Sequence, residues 1–232
     1  MILITAALEC ELRPFRRLAP SDVALLPTGI GRGAVERALS AFLAEHRPQI
    51  ELLISCGFAG GLVPGLRPGE LVLAERLLWA GREIKVEREL LLQASQALEP
   101  LEARHGPILT VTEPIRDVEE KARLGRDSGA LAAEMEAFWA AKIAQDHRVP
   151  FLAVKAVLDP LERPLPEFVT AVGLGGELSV KAIRSLLSRP WQLQEVPRLA
   201  GAARLAAGRL ARALAALVSA FARASEVEEA RC

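Results

Sequence analysis

Residues 133–160 read AEMEAFWAAKIAQDHRVPFLAVKAVLDP and join a helical pattern to a strand pattern. Glu134 and Glu136 flank Met135 and open an apolar periodicity that is typical of a helix. The segment 151–158 is short and almost wholly apolar, which predicts a strand buried on both faces of a sheet. Asp159 follows that strand, at the end where open α/β sheets place their ligands. The stretch therefore predicts an α/β fold with chemistry near Asp159.

Both Asp159 and Glu136 also have ordinary explanations. Asp159 precedes Pro160, and an Asp-Pro pair commonly starts a turn. Glu136 is equally compatible with a first-turn carboxylate that the helix dipole stabilises. The residue types alone leave these alternatives open.

The composition indicates one globular domain that binds a small molecule. The chain has 232 residues, of which 51% are hydrophobic, and its 29 basic and 29 acidic residues leave no net charge. That size fits a single α/β domain, and the charge balance does not indicate nucleic-acid binding. The three cysteines and three histidines lack the spacing of a disulfide framework or a zinc site, so we expect no metal and no cofactor.

The first residues, MILITAALE, indicate an initial strand and not a basic leader segment, which predicts a cytoplasmic protein. The strand predicted at 1–8 ends before Glu9 and Glu11, so a carboxylate emerges at a strand end for a second time. A solvated helix start would explain Glu11 as well.

Two glycine-rich segments follow predicted strands. The strand at 23–26 leads into PTGIGRG, in which Gly29 and Gly31 allow a tight turn before a helix whose free amides attract anions. The strand at 50–55 leads into the glycine-rich segment SCGFAGG. A strand-to-helix turn needs glycine in any case, so these segments alone are weak evidence for a ligand site.

The strings EMEA, VPFLAVKAVLDP, ALECE and SCGFAGG together resemble the purine nucleoside and uridine phosphorylase superfamily, which includes the methylthioadenosine/S-adenosylhomocysteine nucleosidases. The resemblance implies a single α/β domain with a mixed central sheet flanked by helices over residues 1–190, and a helical C-terminal extension over 191–232. It also implies that Asp159 acts at the purine N7, Glu136 binds the ribose hydroxyls and Glu11 activates water.

The same resemblance implies the remaining ligand contacts. Met135 packs against the ribose, Ser55 falls on a phosphate-binding serine, and Phe58 replaces a small hydroxyl residue, where it either packs on the sugar or blocks the nucleophile site. The other implied substrate-binding residues are Gly29, Gly31, Gly57, Ile115 and Arg116. Family members also imply a homo-oligomer.

The tail most resembles the hopanoid-associated branch of the superfamily, which implies adenosylhopane as substrate. Two helical segments are predicted after residue 178, and in the second Arg198, Arg209, Arg212 and Arg223 share one face while leucines take the other. Such a helix caps the core, pairs subunits or lies on an anionic membrane surface. The tail alone leaves these three roles open.

The resulting prediction is cleavage of the N-ribosidic bond of a purine nucleoside with phosphate as co-substrate, and hydrolysis is the alternative. Ser55 and Arg32 favour phosphorolysis, whereas Glu11 favours hydrolysis because it would repel a phosphate dianion. Two other classes of protein stay open, a non-catalytic purine-binding protein and a membrane-associated scaffold.

Overall fold

The computed structural model describes residues 1–166 and 194–229, which hold eight strands and six α-helices. The strands are β1 Ile2–Ala6, β2 Val23–Pro27, β3 Leu52–Gly61, β4 Leu71–Trp79, β5 Arg82–Lys85, β6 Arg104–Thr110, β7 Ala132–Glu134 and β8 Phe151–Asp159. The helices are α1 Glu9–Arg16, α2 Arg32–His46, α3 Arg88–Leu98, α4 Val118–Ser128, α5 Ala137–Asp146 and α6 Glu195–Glu229.

The strands form one mixed sheet, part of which closes on itself. β3 pairs in parallel with β1 and β8, and β1 pairs with β2. β8 continues to β4, β4 to β6 and β6 to β7, and β7 returns to an antiparallel pairing with the far end of β3. The predicted fold, a single α/β domain with a mixed central sheet flanked by helices, is confirmed.

The strand predicted at 151–158 is present as β8, and its apolar residues explain it. Residues 151–157 are all buried, as expected for a strand covered on both faces, and Asp159 is its last residue. β3 is longer than the prediction of 50–55, because Gly60 and Gly61 pair with Ala133 and Ala132 of β7. The segment expected as a glycine loop is therefore strand, and it carries Phe58 into the sheet.

The prediction that Glu134 begins a helix is wrong. Glu134 is the last residue of β7, which pairs with β6, and α5 begins only at Ala137. The Glu134 carboxylate accepts hydrogen bonds from the amides of Glu136 and Ala137, at 3.0 and 2.7 Å. The side chain thus caps the helix that its own backbone does not enter.

Helix α6 covers the core through its apolar face. Leu210, Leu214 and Leu217 are fully buried, and the helix packs on α1, α3 and β8. By length and composition Glu195–Ala222 would also suffice to cross a membrane, but half of its apolar window is buried in the protein, which makes this weak evidence. The first predicted tail helix and the boundary at residue 190 lie outside the described residues.

Helix α4 packs through a glycine against Leu62, the residue after β3. Its first turn is capped by Asp117, and in its last turn Gly125 faces the backbone of Leu62 so closely that an added Cβ would overlap the Leu62 carbonyl oxygen. Alanine normally stabilises a helix interior relative to glycine.

We expect Gly125→Ala to destabilise the fold by about 1–3 kcal/mol, because backbone must shift to admit the methyl group. The matched control is Gly208→Ala in α6, where no atom lies within 4 Å of an added Cβ. This control should stabilise by about 0.5–1 kcal/mol. Urea unfolding measures both, and equal stability of the two variants would contradict the packing described.

Candidate active site

A cavity of about 450 Å³ opens where several strand ends meet. Its wall is built from the end of β1 and start of α1, the far half of β3, the segment after β6, β7, the end of β8 and the beginning of α6. Six of the predicted site residues line it, namely Glu11, Phe58, Ile115, Met135, Glu136 and Asp159. The volume lies within the usual range for small-ligand sites. The cavity thus brings together three acids that are distant in sequence.

Glu11 is held by two backbone amides. Its Oε2 accepts from Leu8 N–H at 2.7 Å, as the third helical residue does in a capping box, and its Oε1 accepts from Phe58 N–H at 2.7 Å. A Cβ on Gly57 would lie only 2.9 Å from Oε1, and Gly57 has φ +140°, so glycine is required there. Burial raises the pKa of Glu11, although the two amide bonds lower it.

Glu136 lies at the start of α5 and reaches the turn before α2. Its Oε1 accepts from Gly31 N–H at 2.7 Å, and Gly31 has φ +80°, a conformation that favours glycine. Burial, with the negative charge of Glu134, raises the pKa of Glu136 to about 8. The predicted residue Gly31 therefore acts by orienting Glu136 and does not itself line the cavity.

Glu134, Thr110 and Lys155 form a buried polar cluster beside the cavity. Thr110 donates its hydroxyl to Glu134 Oε1 at 2.5 Å, and Lys155 Nζ lies 3.0 Å from Glu134 Oε2. Burial opposes the charge on Lys155, but the carboxylates of Glu134, Glu136 and Glu11 outweigh it and raise the pKa of the lysine. Lys155 is thus a fixed positive charge among three acids.

Asp159 is paired with a lysine from α4. Lys121 Nζ donates to Asp159 Oδ2 at 2.5 Å, and the two side chains are 1% and 12% exposed, respectively. Gly60 lets β3 pass close by, since a Cβ there would lie 3.2 Å from Oδ2. Burial raises the pKa of Asp159 to about 6, while the charge and hydrogen bond of Lys121 act in the opposite direction.

The other predicted residues stand outside the cavity wall. Ser55 is 2% exposed and lies within β3, where its Oγ is 3.4 Å from Lys155 Nζ. Arg32 pairs with Glu36 at 2.7 Å and its guanidinium stacks over Trp139, 4.3 Å from the ring centre. Arg116 is exposed. Because neither Ser55 nor Arg32 lines the cavity, its geometry does not support the phosphate contacts predicted for them.

Two glycines act behind the wall. Gly57 makes room for Glu11, and Gly29, with φ +87°, donates its amide to the carbonyl of Ala7 at 3.1 Å.

Within residues 1–166 and 194–229, no group of three or more His, Cys, Asp or Glu side chains is placed to hold a metal ion. That the protein needs neither metal nor cofactor stays a prediction.

The sequence profile of the Phosphorylase superfamily matches residues 15–188. The chain belongs to this superfamily. The matched range includes Glu136 and Asp159 but begins after Glu11, so the placement of Glu11 rests on the geometry above. The prediction of an enzyme of the nucleoside phosphorylase and nucleosidase type is confirmed at the level of the superfamily.

Solved structures of nucleosidases share the fold of this superfamily member. The 5′-methylthioadenosine/S-adenosylhomocysteine nucleosidase of Neisseria meningitidis, in complex with methylthio-immucillin-A, is 19% identical with a TM-score of 0.69, over 94% of this chain and 97% of that one. The nucleosidase of S. pneumoniae, with a transition-state inhibitor, is 20% identical with a TM-score of 0.69, over 95% and 99%. The futalosine hydrolase of Helicobacter pylori is 17% identical with a TM-score of 0.68, over 94% and 97%.

The sequence did not lead us to predict Lys121, Lys155 or Glu134 as site residues. Lys155 does carry a visible signal, because it is the one charged residue inside the apolar run 151–158. Lys121 carries none, since it lies in a helix rich in charged residues, and only the fold shows that its side chain points inward.

The raised pKa of Glu136 predicts a loss of stability with rising pH. The folded chain keeps a proton on Glu136 up to about pH 8, whereas the unfolded chain releases it near the ordinary value of 4.5. Protonation thus favours the folded state, and the free energy of unfolding falls as the pH rises through this interval. Each unit of raised pKa corresponds to about 1.4 kcal/mol.

We expect Glu136→Gln to flatten this fall between about pH 6 and about pH 8. The lower limit is the raised pKa of Asp159, below which that residue also contributes, and the upper limit is the raised pKa of Glu136. Urea unfolding at several pH values measures the slope. The exposed Glu119→Gln on α4 is the control and should keep the wild-type slope. An unchanged slope in Glu136→Gln would show that Glu136 is ionised throughout.

Proposed function

We propose that the chain hydrolyses the N-ribosidic bond of an adenine nucleoside. The observation that carries the proposal is the convergence of Asp159, Glu136 and Glu11 on a single cavity of nucleoside size. Cleaving this bond leaves a cationic sugar and a negatively charged base. The reaction therefore needs an acid for the base, a carboxyl group for the sugar and a base for the nucleophile.

Each acid has the surroundings that its step requires. Asp159, with its pKa raised to about 6, donates a proton to the base as the bond from C1′ to N9 breaks and the electron pair leaves with the base. Glu136 binds the ribose hydroxyls, and in its ionised form it also balances the positive charge that develops on the sugar. Glu11 takes a proton from water as its oxygen bonds to C1′.

The charge of the cavity favours water over phosphate as the nucleophile. Four carboxyl groups line the wall, those of Glu11, Glu134, Glu136 and Asp159, whereas Lys121 is the one cation among the described lining residues. Asp159 must be protonated to act as the acid and Glu136 keeps its proton to about pH 8, so the argument against a phosphate dianion rests on Glu11, which must be ionised to take a proton from water. With Ser55 and Arg32 outside the wall, the balance that favoured phosphorolysis in the sequence now favours hydrolysis.

The apolar part of the cavity supports a substrate with an apolar 5′ substituent. Beyond the acids the lining is almost wholly apolar, and it includes Leu8, Ile30, Leu62, Val111, Ile115, Leu158, Leu165 and Leu199. Such a wall gains free energy by excluding water from a hydrocarbon group. Adenosylhopane, the finer prediction, stays a prediction within this class.

Homo-oligomer formation and membrane contact also stay proposals. The buried leucines of α6 support a capping role. Arg198, Arg204 and Arg212 of the same helix are exposed on the side that would face an anionic surface, with Arg198 paired to Glu195 at 3.1 Å. Flotation with anionic liposomes tests the contact, with replacement of these three arginines by glutamine as the comparison. Flotation that does not depend on the arginines would contradict it.

The decisive experiment incubates the protein with adenosine, methylthioadenosine and a 5′-alkyl adenosine, with and without phosphate, and quantifies free adenine. We expect adenine and the free sugar in phosphate-free buffer, with the 5′-alkyl compound cleaved fastest. A strict requirement for phosphate, with a sugar 1-phosphate as product, would establish phosphorolysis. Tight adenine binding without turnover would indicate a non-catalytic purine-binding protein.

A further inference from the structure

Lys121 is a buried lysine whose hydrogen bonds all go to the end of β8 and the segment after it. Its side chain is 1% exposed. Nζ donates to Asp159 Oδ2 at 2.5 Å, to the carbonyl of Pro160 at 3.1 Å and to the carbonyl of Arg163 at 2.9 Å. An ammonium group has three protons, so these acceptors use them all.

Burying the ion pair of Lys121 and Asp159 costs free energy of desolvation, so a role in the chemistry of Asp159 explains it better than stability does. Removing a lysine and a carboxylate from water requires several kcal/mol per ion, and a buried pair is weak evidence for stability on its own. The pair here lies on the cavity wall, since Lys121 and Asp159 both line it. The lysine engages Oδ2, which leaves Oδ1 as the oxygen that can meet a bound base.

We propose that Lys121 is a positioning residue that makes Asp159 a stronger acid toward the nucleobase. The inference rests on the proposed function. When Asp159 passes its proton from Oδ1 to the base, the carboxylate that remains is already bound by the ammonium group through Oδ2. The bonds to Pro160 and Arg163 hold this geometry by tying α4 to the segment after β8.

The charged groups around Asp159 support this role for Lys121. From α4 it faces Lys121, and across the cavity stand Glu11, Glu134 and Glu136. The adjoining groove is lined by Glu195 and Arg198 of α6 and by Arg163. Of all these groups, Lys121 is the one whose charge and hydrogen bond hold the pKa of Asp159 below the value that burial alone would give.

The proposal predicts two opposite changes in one pH profile. In Lys121→Gln the charge is lost, so Asp159 holds its proton to higher pH, and the alkaline limb of kcat/KM for adenine release from methylthioadenosine should move up by about one unit or more. At low pH, where Asp159 is protonated in both proteins, the variant should be slower by roughly threefold to tenfold, because its acid is weaker. Lys121→Arg keeps the charge and should keep the position of the limb.

A purely structural role would give a different result. Loss of the tether alone would lower the rate at every pH and leave the alkaline limb in place, and that outcome overturns the proposal. Lys121→Met removes the charge with a side chain of similar length and replaces Lys121→Gln if the latter does not fold. Should neither fold, a shifted limb in Lys121→Arg, which keeps the charge, would overturn the proposal.

A titration without substrate separates this inference from the proposed function. In protein labelled with ¹³C at the aspartate carboxyls, the signal of Asp159 is assigned by its loss in Asp159→Asn. Its midpoint should lie about one unit or more higher in Lys121→Gln than in the wild type. Equal midpoints would overturn the inference, whereas a wild type that releases no adenine would refute the proposed function and leave the titration decisive for Lys121.

Discussion

Replacing Asp159 by asparagine should lower adenine release by about 100-fold or more. Asparagine has nearly the same shape and still offers Lys121 an oxygen, but it cannot give a proton to the departing base. The base must then leave with its negative charge uncompensated, which raises the barrier to breaking the bond from C1′ to N9. The measurement is kcat for adenine release from methylthioadenosine, followed by chromatography.

The chain supplies a matched control for this substitution. Asp146 on α5 is paired with Lys142 at 2.5 Å, as Asp159 is with Lys121, but its side chain is 60% exposed and lies outside the cavity. Asp146→Asn should keep the wild-type rate. If Asp159→Asn kept it as well, Asp159 would be no more than the turn-starting residue that its Asp-Pro pair also allows.

Replacing Glu11 by glutamine should also lower hydrolysis by about 100-fold or more, because the amide cannot take a proton from water. A second effect adds to the loss. Both carboxylate oxygens of Glu11 accept backbone amides, from Leu8 and Phe58, so the NH₂ group of glutamine would face one of these donors. The side chain would have to turn away from the position that the two amides now fix.

Glu9→Gln is the control for Glu11→Gln. Glu9 is not among the residues that line the cavity, and it pairs with Arg16 at the surface, at 2.9 Å. Its substitution should leave kcat unchanged. Single-turnover rates of adenine release compare the two variants under conditions that exclude slow product release. A Glu11→Gln rate equal to that of Glu9→Gln would remove Glu11 from the proposed mechanism.

The parts of the fold that the sequence predicts are those set by local patterns. The apolar run 151–158 can be stable only where both faces are covered, so β8 and the position of Asp159 follow from it. Alternation and length do not show which strands pair. The closure from β7 back to β3 depends on backbone pairs between Gly60–Gly61 and Ala132–Ala133, which small residues permit and no pattern requires.

The parts of the site that escaped prediction depend on contacts between distant segments. The two acids around Met135 look alike in sequence, and both line the cavity. Glu134 is bonded to Thr110, Lys155 and the amides of α5, whereas Glu136 bonds to the amide of Gly31. Only the register of β7 against β6 separates their roles. A glutamate that caps a helix and one that binds a ligand obey the same chemistry, so residue type cannot distinguish them.

A crystal structure with a bound, non-cleavable adenosine analogue tests the convergence of the three acids most directly. We expect the analogue in the cavity with N7 about 2.6–3.2 Å from an Asp159 oxygen, and its ribose hydroxyls at a similar distance from Glu136. A water or its substitute should lie between Glu11 and C1′. An analogue bound elsewhere, or one in the cavity that contacts none of these carboxyl groups, would contradict the account.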